Sequence, residues 1–153
     1  LRAINNDIAI RTSIIVGFPG ETDKEFKELY NFVEEIQFDR LGVFKYSEEE
    51  GTHGAKVFQD DVPKTVKNER YEEIMMLQQS INHHKNKNRI GRKEKIIIDI
   101  INDEGWSLGR SFRDAPEVDN YVKINEKLKV GSMYNVKITE AYEYDVEGVV
   151  IHG

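Results

Sequence analysis

Cysteine is absent from this sequence, and long apolar runs are absent as well. The lack of cysteine excludes disulfides, cysteine nucleophiles and any thiolate-held zinc or iron–sulfur site within these 153 residues. No apolar stretch approaches the roughly 20 residues that span a bilayer, and the first residues lack the pattern of a signal peptide. We therefore expect no membrane association and a cytoplasmic location.

Positive charge is also scarce, because 22 Lys and Arg stand against 28 Asp and Glu, a formal charge of −6. A nucleic-acid-binding surface usually appears as a basic excess, since Lys and Arg neutralise phosphates and release counterions. This balance suits a basic partner better than a polyanion, although it is also typical of simple solubility. The apolar fraction of 39% is enough to pack one ordinary domain or two small ones.

The first half of the chain has the pattern of an α/β fold. The β-branched run over residues 8–16 predicts a buried, parallel strand. Thr22 and Glu25 form a capping box, and helical spacing of apolar residues then predicts a helix over about 23–37. A second apolar strand over 41–46 completes a βαβ unit.

The second half changes character after a long helix. Residues 64–90 contain neither Gly nor Pro, which predicts a helix that ends near Gly91. Beyond it the apolar period becomes two, and residues 96–101 predict a fully buried strand. Five short strands within 92–153 fit an oligonucleotide-binding-like (OB-like) barrel better than a sandwich.

The end of the first strand is a candidate ligand site. Val16, Gly17, Gly20 and Glu21 stand at the carboxyl end of a parallel strand, where ligands bind in α/β folds. Glycine permits close approach to the backbone, and the helix N-terminus attracts carboxylate or phosphate. Glu21 is suited to accept hydrogen bonds from ribose hydroxyls or an amine. The alternative is a tight strand-to-helix turn that binds nothing.

Two further polar segments are candidate recognition loops. Tyr46 ends the second strand and is followed by three acids around Glu49, a run that is also typical of a solvated loop. The connection over 109–119 carries an aromatic residue, two arginines and several acids. The four histidines show no metal-binding spacing. From the residues alone, neither segment is more than a loop.

Four segments together resemble a known family. Residues 15–22 (IVGFPGET) look like the signature of the methylthiotransferases in the radical S-adenosylmethionine superfamily, and 46–52 match their next strand. The run from Pro63 through Gln79 resembles their linking helix, and 92–153 are similar to their TRAM domain. The resemblance implies three parts: a segment of a TIM-like radical-SAM α/β barrel (1–63), a linking helix (64–91) and an all-β five-stranded TRAM barrel (92–153).

Within this family, the segment 109–119 resembles the RimO branch, which methylthiolates an aspartate of a small-subunit ribosomal protein. The branch that acts on transfer RNA has neutral or basic residues where this chain has acids, and acids favour a basic ribosomal protein over anionic RNA. The resemblance implies cofactor contacts at Val16, Gly17, Gly20 and Glu21. It implies substrate contacts at Tyr46, Glu49, Arg110, Asp114, Glu117 and Asp119.

The resemblance also implies a mechanism based on S-adenosylmethionine and two [4Fe-4S] clusters. One cluster cleaves S-adenosylmethionine to a radical that abstracts hydrogen from the substrate's β-carbon, and the other supplies sulfur. The cluster cysteines would all precede Leu1, so we expect no catalytic residue and no activity in this chain alone. A barrel cut to two strands would expose unpaired edges, and self-association is then expected. The alternatives are the transfer-RNA enzyme and a non-catalytic RNA- or protein-binding OB-like module.

Overall fold

The computed structural model describes residues 1–5, 7–116 and 119–152, apart from the side chain of Ala55. The chain forms two compact units, Leu1–Ile81 and Asn82–Gly153. Helix α3 begins in the first unit and ends in the second. The described helices and strands are, in order, β1 (Arg11–Val16), α1 (Asp23–Ile36), β2 (Arg40–Lys45), α2 (His53–Val57), α3 (Lys64–Lys87), β3 (Lys93–Ile101), β4 (Ser107–Arg110), β5 (Val122–Ile124), β6 (Met133–Ala141) and β7 (Val146–Val150).

The first unit contains the predicted βαβ arrangement. Strands β1 and β2 pair in parallel, and α1 connects them. Both hydrogen bonds of the capping box are present: the Thr22 backbone N–H donates to Glu25 Oε2 at 2.7 Å, and Glu25 N–H donates to Thr22 Oγ1. The helix ends at Ile36 and is capped by Gln37, whose φ of 51° is left-handed. The core of the unit comprises Val16, Phe26, Val33, Phe38, Val43, Ile74 and Ile81.

The prediction that the first strand is fully buried was wrong. Strand β1 begins at Arg11 and alternates between exposed and covered residues. Ile15 is paired with Phe44 in the register, and the two side chains are 53% and 58% exposed. The physical reason is that the described sheet of this unit has two strands, with its apolar core packed against one face. The predicted self-association of this chain stays a prediction.

Helix α3 runs from Lys64 to Lys87, three residues short of the predicted end. A turn follows, and Gly91 adopts a φ of 84°, a left-handed conformation that glycine adopts without steric cost. Gly91 N–H then donates to Ile138 O at 2.8 Å, which starts the second unit's barrel. Among the described residues, no helix is long and apolar enough to cross a membrane.

The second unit contains a closed five-stranded barrel in the order β3-β4-β5-β7-β6, as the sequence predicted for an OB-like fold. All pairings are antiparallel except that of β5 with β7. The prediction that 96–101 is fully buried was wrong: Ile96 and Ile98 are buried, but a register shift between Ile98 and Ile100 interrupts the alternation, and Ile100 is exposed. The barrel core comprises Ile96, Ile98, Val122, Ile124, Leu128, Val136, Ile138 and Val146.

Two barrel glycines are required by close packing. A Cβ at Gly109 would lie 2.5 Å from Ile97 O, and one at Gly148 would lie 2.5 Å from a Val136 methyl. Such distances force neighbouring backbone or core atoms to move. The residue before Arg110, Gly109, is therefore a glycine because β4 approaches β3 too closely there for any side chain.

Candidate functional site

The turn after β1 is closed by Glu21, whose carboxylate points back into the protein. Its Oε1 accepts hydrogen bonds from Gly17 N–H at 3.0 Å and from Arg70 Nη1 at 2.8 Å. The Glu21 side chain is only 12% exposed. Gly17 and Gly20 both have positive φ, 70° and 82°. The turn predicted from the sequence is thus present, and Glu21 holds it in shape.

Arg70, on α3, clamps this turn, and sequence reasoning did not select it as a site residue. Its guanidinium also donates to Glu21 O at 3.0 Å and to Asp23 Oδ1 at 2.9 Å. The guanidinium carbon lies 5.3 Å from the centre of the Phe26 ring. With a side chain only 6% exposed, Arg70 joins the turn, the start of α1 and α3. The distance of 49 residues between Arg70 and Glu21 hides this contact from any local pattern.

Lys67 occupies the space above Gly17. A Cβ at Gly17 would lie 2.4 Å from Lys67 Cγ. The ammonium group of Lys67 donates to both Asp60 oxygens, at 2.7 and 2.6 Å, and to Tyr46 O at 3.3 Å. The Lys67 side chain therefore occupies the space that the missing side chain of Gly17 leaves beside the backbone. At Gly20, by contrast, nothing lies within 4 Å of the Cβ position, so the backbone is open.

The carboxyl ends of β1 and β2 carry an aromatic cluster. The Phe18 ring packs edge-on against Tyr46, with 5.1 Å between centroids, and against Phe58 at 5.5 Å. Phe18 and Phe58 remain exposed. Lys67 Nζ lies 5.1 Å from the Tyr46 ring centroid. This exposed aromatic surface is able to stack on a planar ring, and its sequence signal was a phenylalanine between the two glycines of the turn.

A cavity of about 400 Å³ adjoins the clamp and is lined in part by Gly20, Glu21, Asp61 and Arg70. Gly20 N–H donates to Asp61 Oδ1 at 2.7 Å. A nucleoside cofactor fits these residues in part: Gly20 is open, whereas Gly17 is covered and one Glu21 oxygen is committed. An iron–sulfur cluster does not fit them, because the sequence has no cysteine and no described group of His, Asp and Glu has metal-binding geometry.

Glu49 lies in the exposed acidic loop between β2 and α2. Its backbone carbonyl accepts hydrogen bonds from Thr52 N–H at 3.2 Å and Thr52 Oγ1 at 2.8 Å. The loop is thus turned by its backbone, while the Glu48, Glu49 and Glu50 side chains face solvent. Their exposure fits both interpretations of the sequence, a solvated loop and a surface for a basic partner, and Glu49 as a substrate contact stays a prediction.

In the barrel, Asp114 and Asp119 both accept hydrogen bonds from other residues of the 109–119 connection. Asp114 is buried, and its Oδ2 accepts hydrogen bonds from Ser111 Oγ at 2.7 Å and Ser111 N–H at 3.2 Å. Asp119 Oδ2 accepts from Ala115 N–H at 2.6 Å. Arg110 pairs with Asp99 of β3 at 3.1 Å. Glu117 lies outside the described residues. Through these hydrogen bonds, Asp114 and Asp119 stabilise the conformation of the loop.

Phe112 is a large apolar side chain that this connection presents to solvent, and sequence reasoning did not select it. It is 72% exposed, and the Arg113 guanidinium carbon lies 4.7 Å from its ring centroid. Phe and Arg are enriched at the centres of protein interfaces. The signal was available in the sequence as the one aromatic residue of a largely polar loop.

Comparison with known proteins covers both units. The family profile of the TRAM domain matches residues 90–151. The ribosomal protein uS12 methylthiotransferase RimO of Clostridium kluyveri is 50% identical over 152 residues, which is 98% of this chain and 34% of that protein. RimO of Clostridium acetobutylicum is 48% identical over 94% of this chain and 32% of its own length. RimO of Thermodesulfovibrio yellowstonii is 47% identical over 95% of this chain and 34% of its own length.

The chain spans about a third of the length of these curated relatives. The matched region includes the β1 turn of the first unit as well as the barrel, because it covers nearly all of this chain. The chain is therefore similar, over about one third of their length, to the RimO methylthiotransferases, and its residues 90–151 match the TRAM domain.

Proposed function

We propose that this chain is a substrate- and cofactor-facing part of an enzyme that adds a methylthio group to the β-carbon of an aspartate in ribosomal protein uS12. The observation that carries the proposal is the identity of 47–50% over almost the whole chain to proteins named for this reaction. In this proposal the cluster ligands belong to another part of the enzyme. S-adenosylmethionine and two [4Fe-4S] clusters supply the radical chemistry and the sulfur.

The first unit forms part of the cofactor wall in this proposal. Phe18 and Tyr46 offer an aromatic surface for the adenine, and Gly20 lets the nucleoside approach the backbone. Val16 and Gly17 shape the end of β1 below it. Glu21 keeps one oxygen on Gly17 and Arg70, so any hydrogen bond to a ribose hydroxyl uses its other oxygen. Arg70 positions Glu21 for that contact.

The barrel unit receives the substrate protein in this proposal. Asp114 and Asp119 hold the loop by accepting its backbone and Ser111 hydrogen bonds, and Arg110 anchors its start to Asp99. The fixed loop then presents Phe112, whose exposed ring is suited to bury itself against uS12. Ordering the loop in advance lowers the entropy lost on binding. Glu117 remains a proposed contact by its position in the same loop.

Electrostatics support a basic protein substrate at the first unit. The exposed acids Glu48, Glu49 and Glu50 follow the end of β2 and begin two residues after Tyr46. A cationic segment of a ribosomal protein would be drawn to them, while RNA phosphates would be repelled. Tyr46 and Glu49 are therefore proposed as substrate contacts on this side.

The test uses the intact enzyme that contains this sequence, with its clusters reconstituted. Mass spectrometry of uS12 should show the added methylthio group on an aspartate, and transfer RNA in the same assay should remain unthiolated. The Phe112→Ala variant should raise KM for uS12 about tenfold with little change in kcat, because a hot-spot aromatic is lost. Met133→Ala, which removes another largely exposed apolar side chain, from β6, serves as the matched control.

Two results would contradict the proposal. Thiolated transfer RNA with unmodified uS12 would assign the enzyme to the other branch of the family. Equal KM values for Phe112→Ala and Met133→Ala would leave the reaction in place but remove the barrel loop from substrate binding.

A further inference from the structure

Lys67 is a buried lysine whose ammonium group is paired within the first unit. Its side chain is 7% exposed, and Nζ donates to Asp60 Oδ1 and Oδ2 at 2.7 and 2.6 Å. Asp60 lies in the segment between α2 and α3. A buried ion pair seldom adds stability over apolar residues of similar volume, because both charges lose their hydration. The stability of the fold therefore does not explain why a lysine stands at this position.

The Lys67 side chain contacts the ends of both strands of the parallel sheet. Nζ donates to Tyr46 O at 3.3 Å, and the Tyr46 N–H donates to Val16 O at 2.9 Å. The methylene groups of Lys67 fill the space beside Gly17, where a Cβ would lie 2.4 Å from Lys67 Cγ. The ammonium group also lies 5.1 Å from the centre of the Tyr46 ring. One side chain thus sets the spacing between the turn after β1 and the backbone after β2.

Lys67 and Arg70 stand three residues apart on α3 and project from the same side of that helix. Arg70 holds the Glu21 side of the turn, whereas Lys67 holds its Gly17 side. Each cation has a carboxylate partner, Glu21 for Arg70 and Asp60 for Lys67. The two basic residues therefore support the proposed cofactor wall without leaving an uncompensated positive charge behind it.

We propose that Lys67 is a positioning residue for the nucleoside cofactor, and that its pairing with Asp60 makes this lysine compatible with a cationic ligand. The inference rests on the proposed function, since it concerns the binding of S-adenosylmethionine. The sulfonium group of that cofactor carries a positive charge, which an unpaired ammonium group near the site would repel. Lys67 acts through Tyr46 and Gly17, whose positions it fixes.

The test measures equilibrium binding of two ligands to the intact enzyme that contains this sequence, with its clusters unreduced so that no turnover occurs. S-adenosylmethionine carries the sulfonium charge, whereas S-adenosylhomocysteine has a neutral sulfur atom and the same nucleoside and amino-acid groups. Lys67→Met keeps the methylene packing beside Gly17 but removes the hydrogen bond to Tyr46 O. It should weaken the binding of both ligands about tenfold, the effect of one lost hydrogen bond to a charged group.

Asp60→Asn should act differently, because it keeps the shape of the pair but leaves the Lys67 charge without its counterion. Binding of S-adenosylmethionine should weaken about fourfold more than binding of S-adenosylhomocysteine at low salt. This difference should shrink as salt screens the repulsion. The matched controls are Lys24→Met and Glu28→Gln, which remove the same charges from an exposed ion pair of α1. Both controls should leave the two dissociation constants unchanged.

Circular dichroism and thermal unfolding establish that each variant is folded, and Asp60→Asn carries the test by itself if Lys67→Met does not fold. Unchanged binding of both ligands in folded Lys67→Met would overturn the inference. An equal loss of the two ligands in Asp60→Asn would overturn it as well. Unmodified enzyme that binds neither ligand would overturn the proposed function together with this inference, a result that the variants alone cannot produce.

Discussion

Arg70 Nη1 lies 2.8 Å from Glu21 Oε1, and the same carboxylate oxygen accepts the Gly17 N–H. This contact joins α3 to the turn after β1 in a largely buried setting. An ion pair of this kind is costly to break from one side, because the remaining charge is left without its partner. The shape of the proposed cofactor wall therefore depends on a helix that is distant in the sequence.

Arg70→Ala should destabilise the first unit by about 3 kcal/mol, since Glu21 would keep a buried charge. Urea unfolding followed by far-UV circular dichroism reports this unit, which contains α1 and much of α3. Fluorescence of Trp106, the only tryptophan and a barrel residue, reports the other unit. Arg70→Lys should lose less stability than Arg70→Ala, because lysine keeps the positive charge beside Glu21. Equal unfolding midpoints for Arg70→Ala and the unmodified chain would contradict the clamp.

Gly17→Ala and Gly20→Ala should differ in stability although both glycines have positive φ. The left-handed conformation costs an alanine about 1 kcal/mol at either position. At Gly17 the new Cβ also meets Lys67 Cγ at 2.4 Å, which adds about 1–3 kcal/mol of overpacking. Paired urea titrations check the order. If Gly20→Ala were the more destabilised variant, Lys67 would not fill the space above Gly17.

Asp114→Ala and Phe112→Ala should separate loop structure from substrate contact. Removing the buried Asp114 acceptor leaves Ser111 without its partner and should cost about 1–3 kcal/mol of barrel stability. Phe112, which is largely exposed, should change stability by less than about 0.5 kcal/mol. Trp106 fluorescence during urea unfolding measures both. A large stability loss in Phe112→Ala would mean that its ring packs against the barrel.

Lys137→Gln should stabilise the barrel by about 0.2–1 kcal/mol at low salt, because it removes the like-charge pair with Lys93. The gain should shrink as salt screens the two ammonium groups. Lys127→Gln, with an exposed lysine outside the strands, is the control and should change little. A gain that is the same for both variants would indicate a general charge effect instead of the cross-strand pair.

Glu25 should link the stability of the first unit to pH. The Thr22 backbone N–H, followed by the Thr22 hydroxyl, lowers the pKa of the Glu25 carboxyl below its usual value of 4.5. A lowered pKa in the folded state contributes stability above pH 4.5 that is lost as the pH falls through the folded-state value. Urea midpoints measured between pH 6 and pH 3 should fall less steeply in Glu25→Gln. NMR titration of the Glu25 carboxyl checks the direction of the shift.

Local patterns were enough to predict much of this fold. The capping box at Thr22 and Glu25, the helix from Asp23, and the βαβ order follow from contacts within a few residues along the chain. The period of two in β6 similarly reflects a strand with one face in a core. The extent of burial was harder to predict. An apolar run such as 8–16 does not indicate how many strands will pack beside it, and Ile15 is exposed for that reason.

The candidate site residues show the same limit. The motif 15–22 located the turn, but the direction of the Glu21 carboxylate depends on Arg70, 49 residues away. The acids of 109–119 suggested a recognition loop, yet Asp114 and Asp119 accept hydrogen bonds within that loop while Phe112 is exposed. A residue type limits what a side chain is able to bind, whereas its partners decide what remains available.

The sequence by itself determined the absence of any thiolate ligand, the start of α1 at its capping box, and the alternation that makes a barrel strand, because these depend on composition or on neighbours in the chain. Only the tertiary structure decided that Lys67 covers Gly17, that Arg70 clamps Glu21, and that Lys93 faces Lys137. These relationships depend on helix packing and strand register, which bring together residues that are far apart in the sequence.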